Sequence, residues 1–220
     1  MASLNTIIEY EGAVIDVRPR YWAAHEAAVT AMGFQGPPPD EFWRLLRTGS
    51  PDAMMIRRAK AHQVAEYQRL RDEQRHSTEL MALDEAPPNA VQNLRILKEM
   101  GSLHAATFCP NREGINITLD RLDLWMYFEQ KRILPQERGR RVAVLKELAV
   151  EHRTTLAVAG TVTFAYTASE AGCRVVGMKT GPTFPKFMQQ VGVDVFFDSL
   201  DDLTDAIARR SPELQKIGIC

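Results

Sequence analysis

Short apolar runs alternate with amphipathic segments along the second half of the chain. The runs Thr155–Ala159, Cys173–Met178 and Val193–Phe197 are mostly apolar, as is typical of strands buried on both faces of a sheet. Val142–Val150 has apolar residues at helical spacing, and Ser199 opens a capping-box-like sequence at the start of another helix. This alternation predicts a parallel sheet with helices on both of its faces.

The first half of the chain interrupts this pattern. Asn5–Tyr10 predicts one short buried strand, but the sequence that follows, as far as Glu85, is helix-like and rich in charge. Asn89 is then a suitable cap for a helix that runs to Met100, and Leu103–Cys109 is strand-like again. A block of helices therefore separates the first strand from the rest of the sheet.

These elements predict an α/β fold in two parts. Residues 1–15 and 87–220 are expected to form a core domain around a Rossmann-like, doubly wound parallel sheet. Residues 16–86 are expected to form an inserted α-helical cap domain.

Composition excludes several classes of protein. Hydrophobic residues make up 45% of the 220 positions and charged residues 25%, as in ordinary globular proteins. The net charge of −1 gives no general attraction to nucleic acid or to an anionic membrane. The longest uncharged stretch, Thr154–Ser169, is shorter than the roughly 20 apolar residues that span a membrane. Three scattered cysteines favour a reducing compartment, so we expect a cytoplasmic protein.

Several motifs along the chain resemble those of one enzyme superfamily. Ile7–Asp16 is similar to the aliphatic strand ending in Phe-Asp-x-Asp-Gly-Thr-Leu-x-Asp that opens haloacid dehalogenase-like proteins. Asn93–Gly101, Leu122–Phe128 and Val191–Asp194 are similar to later segments of the phosphoglycolate phosphatase and β-phosphoglucomutase branch, which has a helical cap. The resemblance covers nearly the whole chain and implies an α/β core with an inserted cap.

The resemblance also implies phosphoryl-transfer chemistry. In the superfamily an Asp at the end of the first strand attacks phosphorus, and an Asp two residues later serves as acid and base. A Ser or Thr and a Lys hold the phosphate, and further acidic residues help to bind Mg²⁺. Phosphoryl transfer depends mostly on positioning and charge neutralisation, so each of these groups carries part of the catalysis.

This chain departs from that pattern at its first two motifs. Glu9 and Glu11 occupy the positions of the two aspartates. The additional methylene displaces each carboxylate by roughly 1 Å, which can cost about 10²-fold in rate. At the second motif Phe108 replaces the hydroxyl that binds phosphate, and Thr107 lies one residue away on the opposite face of the strand.

The third and fourth motifs are altered as well. The Lys expected near Pro135 is absent in register, although Lys131 is close in sequence. Gly160 and Phe164 replace the two acidic residues of the fourth motif. Together, Phe108 and Phe164 predict an apolar plug where metal and phosphate bind in the superfamily.

Two functions are compatible with these residues. The first is a catalytically silent protein without cofactor or metal, which binds a ligand or, through its cap, a protein partner or a second copy. The alternative is an active small-molecule phosphatase in which Glu9 and Glu11, on one face of a strand, act as nucleophile and acid/base and hold Mg²⁺. A cation that reaches Glu9, from Lys131 or Arg138, would favour the phosphatase. A thiolate nucleophile at Cys109 is less favoured than a small buried thiol.

Overall fold

Six parallel strands form the centre of the fold, in the order β3-β2-β1-β4-β5-β6. The computed structural model describes residues 4–56, 59–149 and 154–219. The strands are β1 (Leu4–Glu9), β2 (Gly101–Thr107), β3 (Gln130–Ile133), β4 (Thr155–Ala159), β5 (Arg174–Met178) and β6 (Phe196–Phe197). The predicted doubly wound parallel sheet is confirmed.

The first strand lies in the middle of the sheet, between β2 and β4. Ile8 of β1 is paired with Ala105 on one side and with Val158 on the other. Ile7 and Ile8 are both fully buried, on opposite faces of the strand, because helices cover the two faces of the sheet. The strand order reverses at β1, and in sheets of this type the crevice for ligands forms at the carboxyl ends of the strands beside such a reversal.

Within the described residues, four helices follow β1, a fifth leads directly into β2, and six more follow β2. The first group is α1 (Arg18–Ala31), α2 (Pro39–Arg47), α3 (Ala61–Arg75) and α4 (Thr78–Met81). The second group is α5 (Ala90–Met100), α6 (Arg112–Arg121), α7 (Arg138–Leu148), α8 (Val162–Glu170), α9 (Pro185–Gln189), α10 (Leu200–Ala208) and α11 (Pro212–Lys216). None of these helices combines the length and apolar character needed to cross a bilayer.

The chain leaves and re-enters the core side by side. The backbone amide of Asp16 donates to the carbonyl of Glu85 at 2.8 Å, and the amide of Glu85 donates back to Asp16 at 3.2 Å. This pair lies beside both predicted domain boundaries, and the division into domains stays a prediction. We refer to α1–α4 as the helical insertion.

Local details differ from the sequence predictions at three places. Asn89 does not cap α5 with its side chain, because its backbone is left-handed (φ +58°) and its amide donates to Asp201 instead. Helix α6 and strand β3 were not predicted, since both are short and carry many polar residues. Helix α7 ends at Leu148, and Val150 lies outside the described residues.

Candidate functional site

The candidate site lies where β1 ends. The strand stops at Glu9, and Tyr10–Val14 forms one wide turn in which the amide of Ile15 donates to the carbonyl of Tyr10 at 3.0 Å. The prediction that Glu9 and Glu11 share one face of a strand is therefore wrong. Because the chain turns between them, the two carboxylates meet different partners.

Glu9 is completely buried, and both of its carboxyl oxygens are hydrogen-bonded. Oε2 accepts from the backbone amides of Gly160 and Thr161, both at 2.7 Å, and Oε1 lies 2.7 Å from the Thr161 hydroxyl. Thr161 is also the N-cap of α8, since its hydroxyl accepts from the amide of Phe164 at 3.1 Å. Glu9 therefore ties the central strand to the positive end of a helix.

Burial raises the pKa of Glu9 to about 8, although the hydrogen bonds from Thr161 and Gly160 act in the opposite direction. A carboxyl group removed from water resists ionisation unless its partners supply enough compensating charge. The hydrogen-bond partners of Glu9 are two backbone amides and one hydroxyl, which are dipoles without net charge.

Glu11 has a charged partner that sequence reasoning missed. Its Oε1 lies 2.7 Å from Nη2 of Arg20, whose side chain is fully buried. The Nε of Arg20 also contacts Oδ1 of Asp84 at 2.9 Å, and the Tyr10 hydroxyl donates to Oδ2 of Asp84 at 3.3 Å. These four residues, Tyr10, Glu11, Arg20 and Asp84, are called the buried ionic cluster below.

The cluster joins the core to both ends of the helical insertion. Arg20 lies on α1, where the insertion begins, and Asp84 follows α4, where the insertion ends. Burial raises the pKa of Asp84 to about 7 despite the opposing effect of Arg20. The sequence held one signal for this arrangement, because Arg20 lies on the same helical face as the buried Ala24 and Ala28.

Three glycines bring the loops after β1, β4 and β5 into backbone contact. A Cβ atom on Gly160 would lie 2.3 Å from the carbonyl oxygen of Glu11, and one on Gly181 would lie 2.0 Å from the carbonyl oxygen of Gly160. Gly12, at φ +80°, completes the contact, since its Cβ would lie 2.5 Å from the Cα of Gly181. The backbones of these three loops are thus in direct contact beside the end of β1.

The two phenylalanines pack in or against a hydrophobic core cluster. Phe164 is fully buried in a hydrophobic cluster with Ile7 and Ala106, and Phe108 packs against the same cluster while staying half-buried. The hydrogen-bond and ion-pair partners of Glu9 and Glu11 are amides, a hydroxyl and a guanidinium. The apolar plug at the position of metal and phosphate stays a prediction.

The remaining candidates lie away from the carboxylates. Thr107 accepts the amide of Cys109 at 2.9 Å, and the Nζ of Lys131 donates to the carbonyl oxygens of Trp125 and Phe128, both at 3.2 Å. Arg138 pairs with Glu170 and Tyr166 on the surface. Within the described part of the chain, neither predicted cation contacts Glu9. Burial raises the pKa of the Cys109 thiol, which favours the unreactive protonated form.

The residues present do not fit a magnesium ion. Mg²⁺ requires several oxygen ligands in octahedral geometry. Both oxygens of Glu9 are engaged with α8, Glu11 is engaged with Arg20, and the loop after β4 offers Gly160 and Phe164 in place of acids. We therefore derive no step of chemistry through a metal at this position.

Solved structures with the same fold extend over nearly the whole chain. A haloacid dehalogenase-like family hydrolase from Streptococcus pneumoniae superimposes with a TM-score of 0.74 at 12% identity, covering 93% of this chain and 99% of its own. A predicted phosphoglycolate phosphatase from Haemophilus somnus reaches 0.69 at 15% identity, with 93% and 98% covered. A protein named as a beta-phosphoglucomutase from Thermotoga maritima reaches 0.64 at 18% identity, with the same coverage.

These similarities confirm the resemblance at the level of the fold. No protein-family model matches the sequence, and no curated protein matches it by sequence. The chain has the fold of haloacid dehalogenase-like hydrolases, and its site must be interpreted from its own residues.

Proposed function

We propose that this chain keeps the haloacid dehalogenase-like fold without phosphoryl-transfer catalysis and acts by binding a partner or a ligand. The observation that carries the proposal is the environment of Glu9. A nucleophilic carboxylate must be able to reach the reacting atom in a near-attack geometry. Both oxygens of Glu9 are instead bound to Gly160 and Thr161, and the residue has no exposed surface.

The state of Glu11 supports the same proposal. A general acid or base must exchange a proton with the substrate at hydrogen-bond distance. The carboxylate of Glu11 is paired with the permanently charged guanidinium of Arg20, which in turn contacts Asp84. The positive charge beside these carboxylates is therefore a fixed part of the protein.

We propose that the helical insertion acts as a cap and offers the surface for a protein partner or a second copy, since Met54 and Leu83 expose large apolar side chains there. A cytoplasmic location is supported by Cys109 and Cys173, which are free thiols within the described residues.

A phosphate-release assay tests the proposal. Purified protein is incubated with Mg²⁺ and a panel of phosphate monoesters, with and without chelator, beside a Glu9→Gln variant. Glutamine preserves the shape and the oxygen that accepts the Gly160 and Thr161 amides but cannot act as a nucleophile. We expect identical release from both proteins. Chelator-sensitive release that is lost in Glu9→Gln would overturn the proposal and establish the phosphatase.

A further inference from the structure

A small cavity lies between α6, β2 and the edge strand β3, on the side of β1 away from β4. Its volume is about 140 Å³. The walls include the apolar side chains of Ile115, Leu119 and Ile133 and the half-exposed ring of Trp125. Tyr10 of the buried ionic cluster lines it, but neither Glu9 nor Glu11 does, so the cavity adjoins that cluster without including either carboxylate.

The charged groups around this cavity are all positive. Lys131, Arg112 and Arg132 line it, and none of the described residues in its walls is acidic. The Nζ of Lys131 is fixed 3.7 Å from the centre of the Trp125 ring by its hydrogen bonds to two carbonyl oxygens. Two of the three donors of the ammonium group are used by these carbonyl oxygens, and the fixed ammonium carries its positive charge at the cavity wall.

Within the described residues, an ion pair with an acidic side chain is seen for Arg132 but not for Lys131 or Arg112. Burial and the neighbouring Lys98 lower the pKa of Lys131, and Lys98 itself donates to the carbonyl oxygen of Met126 at 2.8 Å. Arg132 has its acidic partner, Glu147, at 3.9 Å. Arg112 is the first residue of α6, where its charge adds to the positive end of the helix dipole instead of opposing it. The result is a hollow with both apolar and polar walls in a positive field.

We propose that this cavity binds a small organic anion with an apolar body, of the type of an aromatic carboxylate. A dry apolar cavity of about 150 Å³ accepts a benzene ring, so the volume suits one ring. The ring would pack on Ile115 and Leu119, and the carboxylate would face Lys131 and Arg112. This inference rests on the proposed binding function and names the class of its ligand.

A second, larger cleft is less suited to binding a charged ligand. Its volume is about 580 Å³, and it lies between α1–α2 of the insertion and the loops after β5 and β6. Most of its charged groups already have partners: Asp16 with Arg18, Lys179 with Asp198, and Asp201 with Asn89 and Asn93. A site whose charges are satisfied internally has less to offer a charged ligand.

Titration with benzoate at low ionic strength tests the proposal. Binding is followed by calorimetry and by the fluorescence of Trp125, with a Trp125→Phe variant to identify that signal. We expect saturable binding of benzoate, about tenfold weaker binding of benzyl alcohol, and none of benzylamine. Equal affinity for the acid and the alcohol, or binding of the amine, would overturn the proposal.

Variants locate the site. Lys131→Met and Arg112→Gln should each weaken benzoate binding about tenfold. Arg95→Gln, at an exposed position of α5, is the control and should leave it unchanged. Unchanged affinity in both Lys131→Met and Arg112→Gln would place any binding elsewhere and refute the assignment. If Lys131→Met does not fold, Arg112→Gln and the ligand series decide the question.

The result is independent of the phosphatase assay. Phosphate release that depends on Glu9 would remove the proposed loss of catalysis but not a benzoate site that depends on Lys131. Absence of benzoate binding would refute the anion site and would leave the proposed loss of catalysis unaffected.

Discussion

The guanidinium of Arg20 lies 2.7 Å from the carboxylate of Glu11, and almost no solvent reaches either side chain. A charge pair in such a place is costly to build, because both ions lose their hydration. Its partners come from the turn after β1 and from the first helix of the insertion, so the pair joins two parts of the chain. Asp84 extends this connection to the end of the insertion.

Removing the cation of the buried ionic cluster should destabilise the protein strongly. Arg20→Met leaves Glu11 and Asp84 as uncompensated buried carboxyl groups, and we expect a loss of about 3–5 kcal/mol in the free energy of unfolding. Urea unfolding followed by circular dichroism measures it. Arg18→Met is the matched control, because the Arg18–Asp16 pair is largely exposed, and it should cost less than about 0.5 kcal/mol.

A triple variant separates charge from packing. Arg20→Met combined with Glu11→Gln and Asp84→Asn removes the unpaired charges, so most of the stability lost in Arg20→Met should return. A triple variant as unstable as Arg20→Met would show that the contacts of the arginine side chain, rather than its charge, support the fold.

Glu9 should make the protein less stable as the pH rises. Its pKa is about 8 when folded, against 4.5 as the ordinary value. Between these values the unfolded chain releases the proton while the folded protein retains it. The contribution of Glu9 to the free energy of unfolding is therefore fully present below pH 4.5 and decreases as the pH rises to 8. The total decrease is on the order of a few kcal/mol.

Glu9→Gln is expected to remove that loss. Asp84 contributes a slope of the same sign in both proteins, since its pKa is also raised. The test compares the pH dependence of the unfolding free energy of the parent and of Glu9→Gln from pH 5 to 8.5. Parallel curves would show that Glu9 is ionised throughout this range.

His25 should produce a slope of the opposite sign at acidic pH. Burial, with Arg71 nearby, lowers its pKa from 6.5 to about 4. Its Nδ1 lies 2.8 Å from the Tyr67 hydroxyl, and its ring stacks on Phe42 at 4.4 Å between centroids. Below pH 6.5 the unfolded chain binds a proton that the folded protein does not, so stability falls between pH 6.5 and 4.

The imidazole titration can be observed directly. We expect the NMR resonances of His25 to titrate near pH 4, and His25→Gln to have a shallower loss of stability on acidification than the parent. His62→Gln, at an exposed position of α3, should keep the parental slope. A His25 midpoint near 6.5 would contradict the prediction.

The contact between the loops after β1 and β4 should not tolerate a methyl group. Gly160→Ala places a Cβ 2.3 Å from the carbonyl oxygen of Glu11, and neither backbone can yield easily. We expect a loss of about 1–3 kcal/mol or more. Gly139→Ala, on α7 with open space around it, is the control and should be neutral or stabilising by up to about 1 kcal/mol. Thermal unfolding of both variants measures the difference, and equal effects would show that the contact can relax.

The sequence by itself determined the layers of the fold. Strand β4 is an almost continuous apolar run because it is buried on both faces, and short apolar stretches mark β1 and β5 in the same way, so each of these strands can be identified from its own segment of the sequence. The sequence does not predict helix α6 and strand β3, because a short edge strand and a polar surface helix can form from many different residues and therefore show no clear hydrophobic pattern.

The chemistry of the site was decided only by tertiary structure. The sequence identified Glu9 and Glu11 but not their partners, since Thr161 lies 152 residues after Glu9 and Asp84 lies in a segment with no motif of its own. Hydrogen bonds and ion pairs act between atoms a few ångströms apart, whatever their separation along the chain. Whether a carboxylate is a nucleophile or a structural anchor therefore depends on contacts that only the folded chain creates.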